Sequence, residues 1–187
     1  KLTEQVFQPA EELSEPPGEP AEAPVEEAEP AIPWPEVDFE TLTAQSPQVM
    51  CWLFGPGTGV NYPVVQGTDN SYYLNHLYDG TYNSAGSLFL DYRSDLSENG
   101  RWVIYGHYMR NGTMFADLLR YKEQDYYDAH PVFLLALPEG RYLVEIFSGY
   151  VAGVEADAWR LDFAGDEDYS QWLADQKAAS CFQSPVT

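Results

Sequence analysis

The chain has 187 residues, with thirty acids against nine bases and a formal net charge of −21. That length holds one domain with a real core plus an extension. The charge excludes a phosphate-neutralising nucleic-acid surface and docking on an anionic membrane. Two cysteines, Cys51 and Cys181, are too few for a disulfide scaffold and carry no metal-ligand spacing, and no apolar run approaches the twenty residues of a membrane span. No secretion signal opens the sequence and there is no initiator Met, so it reads as a processed or truncated form.

The charge is unevenly spread. Residues 1–47 hold twelve of the thirty acids, one of the nine bases and nine of the fourteen prolines. Prolines block helix and sheet while glutamates repel one another, so residues 1–36 are expected to be an extended linker or stalk. A second reading makes this segment a strap that closes over a site using Ile32 and Trp34. The domain proper is expected over 37–187.

In chain order, a short helix is expected over Asp38–Gln45, stopped by Pro47. The stretch GVNYPVVQG (residues 59–67) reads as a strand, with Pro63 suggesting an edge or a bulge. NSYYLNHL has helical or turn character, SAGSLFLDYR is a strand opened by Gly86, and RWVIYGH is a near-continuous apolar strand ending at His107. A turn follows, with Thr113 as the expected N-cap of a short helix MFADLLRY. EQDYYDAH is a helical turn, and PVFLLALPEGRYLVEIFSGYV is a hairpin turning at Pro138, Glu139 and Gly140. DEDYSQWLADQKAAS closes the series as a helix, its acids early and its Lys late, as the helix dipole favours. Many short strands with helices between them predict a mainly β fold, a closed or nearly closed barrel with appended helices.

The stretches NYPVVQGTDNSYYLNH, GSLFLDYRSDL and VIYGHYMRNGTMFADL, in that order and spacing, resemble the class B sortases, cysteine transpeptidases of Gram-positive bacterial surfaces. The similarity runs from about Val49 to Thr187 and includes the helix of Asp166–Ala179 in a late inter-strand loop. The resemblance implies a sortase-type closed β-barrel of about eight strands with inserted short helices. It implies an enzyme that cleaves a C-terminal sorting signal after threonine, forms a thioacyl intermediate on a cysteine, and passes the acyl group to a peptidoglycan-precursor or pilin amine. It further implies the extracellular face of the cell membrane, with an N-terminal anchor outside this sequence, and needs no cofactor and no metal.

His107 matches the catalytic histidine of the family. Asn70, Leu74 and Tyr105 match positions lining its peptide groove, and Trp159 is a candidate for the far wall of that groove. Taken singly, each has a plain structural alternative: a strand-end ring for His107, a helix N-cap for Asn70, core packing for Leu74 and Tyr105, and loop anchoring for Trp159. The Thr-Cys strand motif of the family and its following arginine have no match here, so nucleophile and arginine are expected after Thr187, and this chain is expected to be inactive as it stands. Cys181 follows a helix C-terminus, which disfavours thiolate, and Cys51 suits a small buried hydrophobe. Arg93, Arg101, Arg110 and Arg160 match no oxyanion role. His76 and His130 read as structural or surface residues, and the acids at 166–168 read as helix N-terminal rather than calcium-binding. A barrel lacking late strands would expose edges, to be met by another chain, by further strands of the same protein, or by self-association. The competing function is a degenerate sortase-like module that binds peptide or wall components without catalysis.

Overall fold

Among the described residues, six strands form one mixed sheet in the order β4-β3-β2-β1-β5-β6. They are β1 (Val49–Phe54), β2 (Asn61–Gln66), β3 (Leu88–Leu90), β4 (Ile104–Tyr105), β5 (Val132–Leu137) and β6 (Gly140–Glu145), with helices α1 (Phe39–Gln45), α2 (Gln124–Ala129) and α3 (Asp166–Ala179). Short 3-10 helices lie at Tyr72–Leu74 and Ala116–Lys122. The computed structural model describes residues 32–95 and 100–186. The extended linker expected over 1–36 therefore lies outside the described residues except for 32–36, which carry no regular structure. Trp34 stands beside the Arg141 guanidinium of β6, 5.8 Å from ring centroid to guanidinium carbon.

Strand periodicity divides the core between the two faces of the sheet. Along β1 every second residue is buried, Val49, Cys51 and Leu53, and the irregularity between Val49 and Cys51 turns Val49 to the face opposite the other two. Cys51 pairs with Val64, and Val64 with Leu88; with Leu53, Val60, Leu90 and Met114 they form the larger core cluster. Val49 pairs with Val65, Val65 with Phe89, and Phe89 with Tyr105; these pack with Tyr73, Leu42 and Tyr78. β3 is buried at all three positions because both its faces are covered.

β2 and β3 run parallel, so a crossover must join them. That crossover carries the 3-10 helix Tyr72–Leu74 onto the Val65–Phe89 face. Asp69 shapes its entry, accepting from the Ser71 N–H, the Ser71 hydroxyl and the Tyr72 N–H. Asp38 likewise caps α1, its carboxylate accepting from the Thr41 N–H at 3.0 Å.

Four expectations need correction. The sheet is open rather than closed: β4 and β6 lie at its ends, and among the described strands none joins them. β2 is internal, not an edge. Pro63 is tolerated because β2 pairs with β3 only from Val64 onward, so no ladder bond on that side needs its missing N–H; the irregularity falls instead in β1 between Val49 and Cys51. β4 shrinks to Ile104–Tyr105. Thr113 does not cap the following helix, because its hydroxyl and N–H both turn to Asn111 Oδ1 and Phe115 takes the N-cap position.

Candidate functional site

Side chains alternate along an extended chain, so Tyr105 and His107 point to one side and Gly106 to the other. Gly106 is required by close approach: a Cβ there would lie 2.3 Å from Leu88 Cδ2 and 2.6 Å from Phe115 Cδ2. The Phe115 N–H donates to the His107 carbonyl at 2.9 Å and fixes the backbone at the strand end. The half-buried His107 ring thus faces the crossover helix.

A cleft of about 250 Å3 opens there, lined by Asn70, Leu74, Phe89, Tyr105, Gly106 and His107. Asn70 and Leu74 come from the β2–β3 crossover and Tyr105 and His107 from the end of β4, two separated stretches of chain, and the structure brings all four together. Trp159 does not line this cleft; it is 38% exposed in the loop before α3. That loop is held by other groups: the Trp172 indole N–H donates to the Asp157 carbonyl at 2.8 Å, and Arg101 and Arg160 lie over the Phe163 ring. The acids opening α3 are explained by the helix end, with Asp168 accepting from the Ala164 N–H and pairing with Arg160. His76 stacks on Tyr72, and His130 Nδ1 lies 2.9 Å from the Pro56 carbonyl.

His107 Nε2 is 2.7 Å from the Leu74 carbonyl oxygen. A carbonyl only accepts, so Nε2 carries the hydrogen, and in the neutral ring Nδ1 holds the free lone pair. The backbone behind this contact is tight. Gly86 has φ of 61°, and a Cβ on it would meet the Tyr73 carbonyl oxygen at 2.4 Å and that of Leu74 at 2.7 Å. The residue that orients the imidazole is therefore itself held by a glycine twelve positions on.

Beneath the cleft lies a residue that sequence reasoning missed. Asp91 is wholly buried, and its carboxylate accepts from Arg93 Nε at 2.9 Å, Arg93 Nη2 at 2.8 Å, Asn70 Nδ2 at 2.9 Å and the Tyr105 hydroxyl at 3.0 Å. The Arg93 side chain holds this carboxyl far below the usual carboxylate range, against burial, which acts the other way. Burial raises Tyr105, and donation to Asp91 raises it further. The available signal was LDYR itself: an acid that directly follows a fully apolar strand is bound for the interior and needs a cation nearby.

Neither cysteine lines the cleft. Cys51 is buried in β1, and burial pushes its thiol up to about 12, so it stays protonated. Cys181 is exposed, its N–H donating to the Gly149 carbonyl, and it lines a larger cavity of about 870 Å3 that shares Gly106 with the cleft but not His107. Among the described residues no cluster of His, Cys, Asp and Glu could hold a metal ion, and no helix is long and apolar enough to cross a membrane.

The family model of the sortase domain matches residues 55–130, a span that includes both the crossover and His107. The chain is 34% identical over 149 residues to Sortase B of Staphylococcus aureus, covering 79% of this chain and 61% of that relative. It is 38% identical over 138 residues to Sortase B of Listeria monocytogenes, covering 72% and 55%. It therefore spans about three-fifths of the length of these relatives. The 2.0 Å crystal structure of the Staphylococcus aureus protein matches with a TM-score of 0.77 at 34% identity, covering 80% of this chain and 71% of that one; its substrate complex matches at 0.76. The chain belongs to the class B sortase family.

Proposed function

We propose that this chain supplies the peptide cleft and the acid–base imidazole of a surface transpeptidase. The observation that carries the reading is the convergence of Asn70, Leu74, Tyr105 and His107 on one cleft. A relative of the same fold that has been solved with its substrate supports occupancy by a peptide. In this reading a C-terminal sorting signal lies in the cleft with Leu74, itself 41% exposed, packing an apolar side chain. With Nε2 tied to the Leu74 carbonyl, Nδ1 of His107 takes the proton from the attacking group and returns it to the leaving amine. A cysteine thioacyl forms and is passed to a cell-wall or pilin amine on the extracellular face of the membrane.

Cys51 is protonated and enclosed, and Cys181 sits in a different cavity. We assign the nucleophile to neither. In this reading the part played by residues 1–187 is to hold the peptide and to present the imidazole. A second reading, a peptide-binding module without catalysis, is favoured by the same placement of the two cysteines. The gene separates them: a reading frame that continues into a Thr-Cys strand and a later Arg supports the enzyme, and a stop codon at that point supports the module.

The test is alkylation by iodoacetamide together with a fluorogenic peptide pool in which only threonine is fixed. Cys181 should label at the same rate in the native chain and in His107→Ala, with no peptide turnover in either. Turnover, or a Cys181 labelling rate that falls several-fold in His107→Ala, would assign the chemistry to Cys181 and overturn this reading.

A further inference from the structure

We propose that Asp91 is a positioning residue of the cleft: its buried carboxylate fixes Asn70 and Tyr105 as a donor–acceptor pair that reads the backbone of an extended peptide. This rests on the peptide reading above and adds a residue that does not itself touch the ligand. Asp91 stands at the end of β3 with its own N–H bonded to the Val103 carbonyl at 2.8 Å. Besides the four side-chain donors already described, Asp91 Oδ1 accepts from the Arg93 N–H at 2.9 Å. Five donors saturate the roughly four lone-pair sites of a carboxylate, so Asp91 has nothing left for a ligand. Its effect passes through its partners.

Each partner is left with one defined capacity. The Asn70 amide oxygen accepts from the Tyr92 N–H at 3.0 Å while its nitrogen donates to Asp91. The two bonds together fix which end of the amide is which and leave one N–H free to donate into the cleft. The Tyr105 hydroxyl spends its only hydrogen on Asp91, so toward a ligand it acts only as an acceptor. One donor and one acceptor on the rim of the same cleft match the C=O and N–H that an extended peptide presents. Arg93, its own side chain half-exposed, offsets the charge of the carboxylate, so the pair adds no net charge beside the cleft.

Backbone reading of this kind makes the cleft selective for peptide geometry rather than for side-chain charge. Loss of the carboxylate frees the Tyr105 hydrogen to donate and lets the Asn70 amide turn over. Both changes present the wrong hydrogen-bonding sense to the same ligand, which costs more than a lost contact because groups are left unpaired.

The experiment measures binding of a fluorescein-labelled pentapeptide pool, threonine fixed at one position, to the full 187-residue chain by anisotropy. Asp91→Asn should weaken binding about tenfold in the native background and less than twofold in Asn70→Ala/Tyr105→Phe, since the effect runs through those two side chains. Equal losses in both backgrounds, or none in either, overturn the proposal. A second measurement needs no variant: with asparagine labelled in nitrogen-15, the two Asn70 amide hydrogens of the native chain should be well separated and one slow to exchange with solvent. A rapidly averaged pair overturns the positioning role even if Asp91→Asn fails to fold. Failure of the native chain to bind the pool, with the Asn70 pair still held, retires the peptide reading alone.

Discussion

β3 and β6 show what the two halves of this sheet have in common and where they differ. β3 is buried at all three positions and ends in a carboxylate whose oxygens are fully engaged. β6 is exposed along most of its length, with Tyr142 at 52%, Leu143 at 49% and Val144 at 40%. Both are short strands in one hydrogen-bonded sheet, and β6 is the longer. Site geometry therefore follows from cover, not from pairing: the half packed on both faces holds its side chains in one arrangement, and the half with free faces does not need to. Substitutions near β3 should be costly and should reach His107, and substitutions on β6 should be nearly silent.

The largest effect is expected at Gly86. Gly86→Ala combines a left-handed backbone with contacts to the Tyr73 and Leu74 carbonyls well inside van der Waals distance, and should cost about 3 kcal/mol by urea denaturation. Because the Leu74 carbonyl holds Nε2 of His107, the same variant should move the His107 ring resonances. Normal stability in Gly86→Ala would break the link between the crossover and the imidazole.

Next comes acid sensitivity. The folded protein holds the Asp91 carboxyl below its ordinary value of about 3.9. The unfolded chain then binds more protons in that window, so this contribution is present above about pH 4 and is lost as pH falls below it. Asp38, Asp69, Asp79 and Asp168 are lowered as well, so Asp91→Asn should flatten the acid limb of stability without abolishing it. An unchanged slope would mean that the buried carboxylate is not the charged acceptor described here. At the small end, Leu143→Thr on β6 should change stability by no more than about 0.5 kcal/mol; a loss above 2 kcal/mol would mean that this face is covered in solution and would erase the contrast between the halves.

Much of this was legible in the sequence. The order of strands and helices, the helix beginning at Asp166, and the residues around His107 could be read because local pattern and ordered motifs carry them. The rest depends on distance in the chain. Asn70 and Asp91 are 21 residues apart, and their meeting follows from the parallel pairing of β2 with β3, which no local period encodes. Pro63 misled because its cost depends on which side of the strand is paired, and the shortness of β4 escaped because RWVIYGH is apolar well beyond the two residues that pair. Trp159 sits in a loop whose contacts are set by Arg101, Arg160 and Phe163 rather than by the cleft.

The most direct test of the account is a nitrogen-15 correlation titration of the 187-residue chain with the threonine-fixed peptide pool. The account predicts that resonances of Asn70, Leu74, Tyr105 and His107 shift together while those of Leu119, Tyr150 and Cys181, which line the larger cavity, stay in place. Shifts confined to that larger cavity, with His107 unmoved, would contradict it.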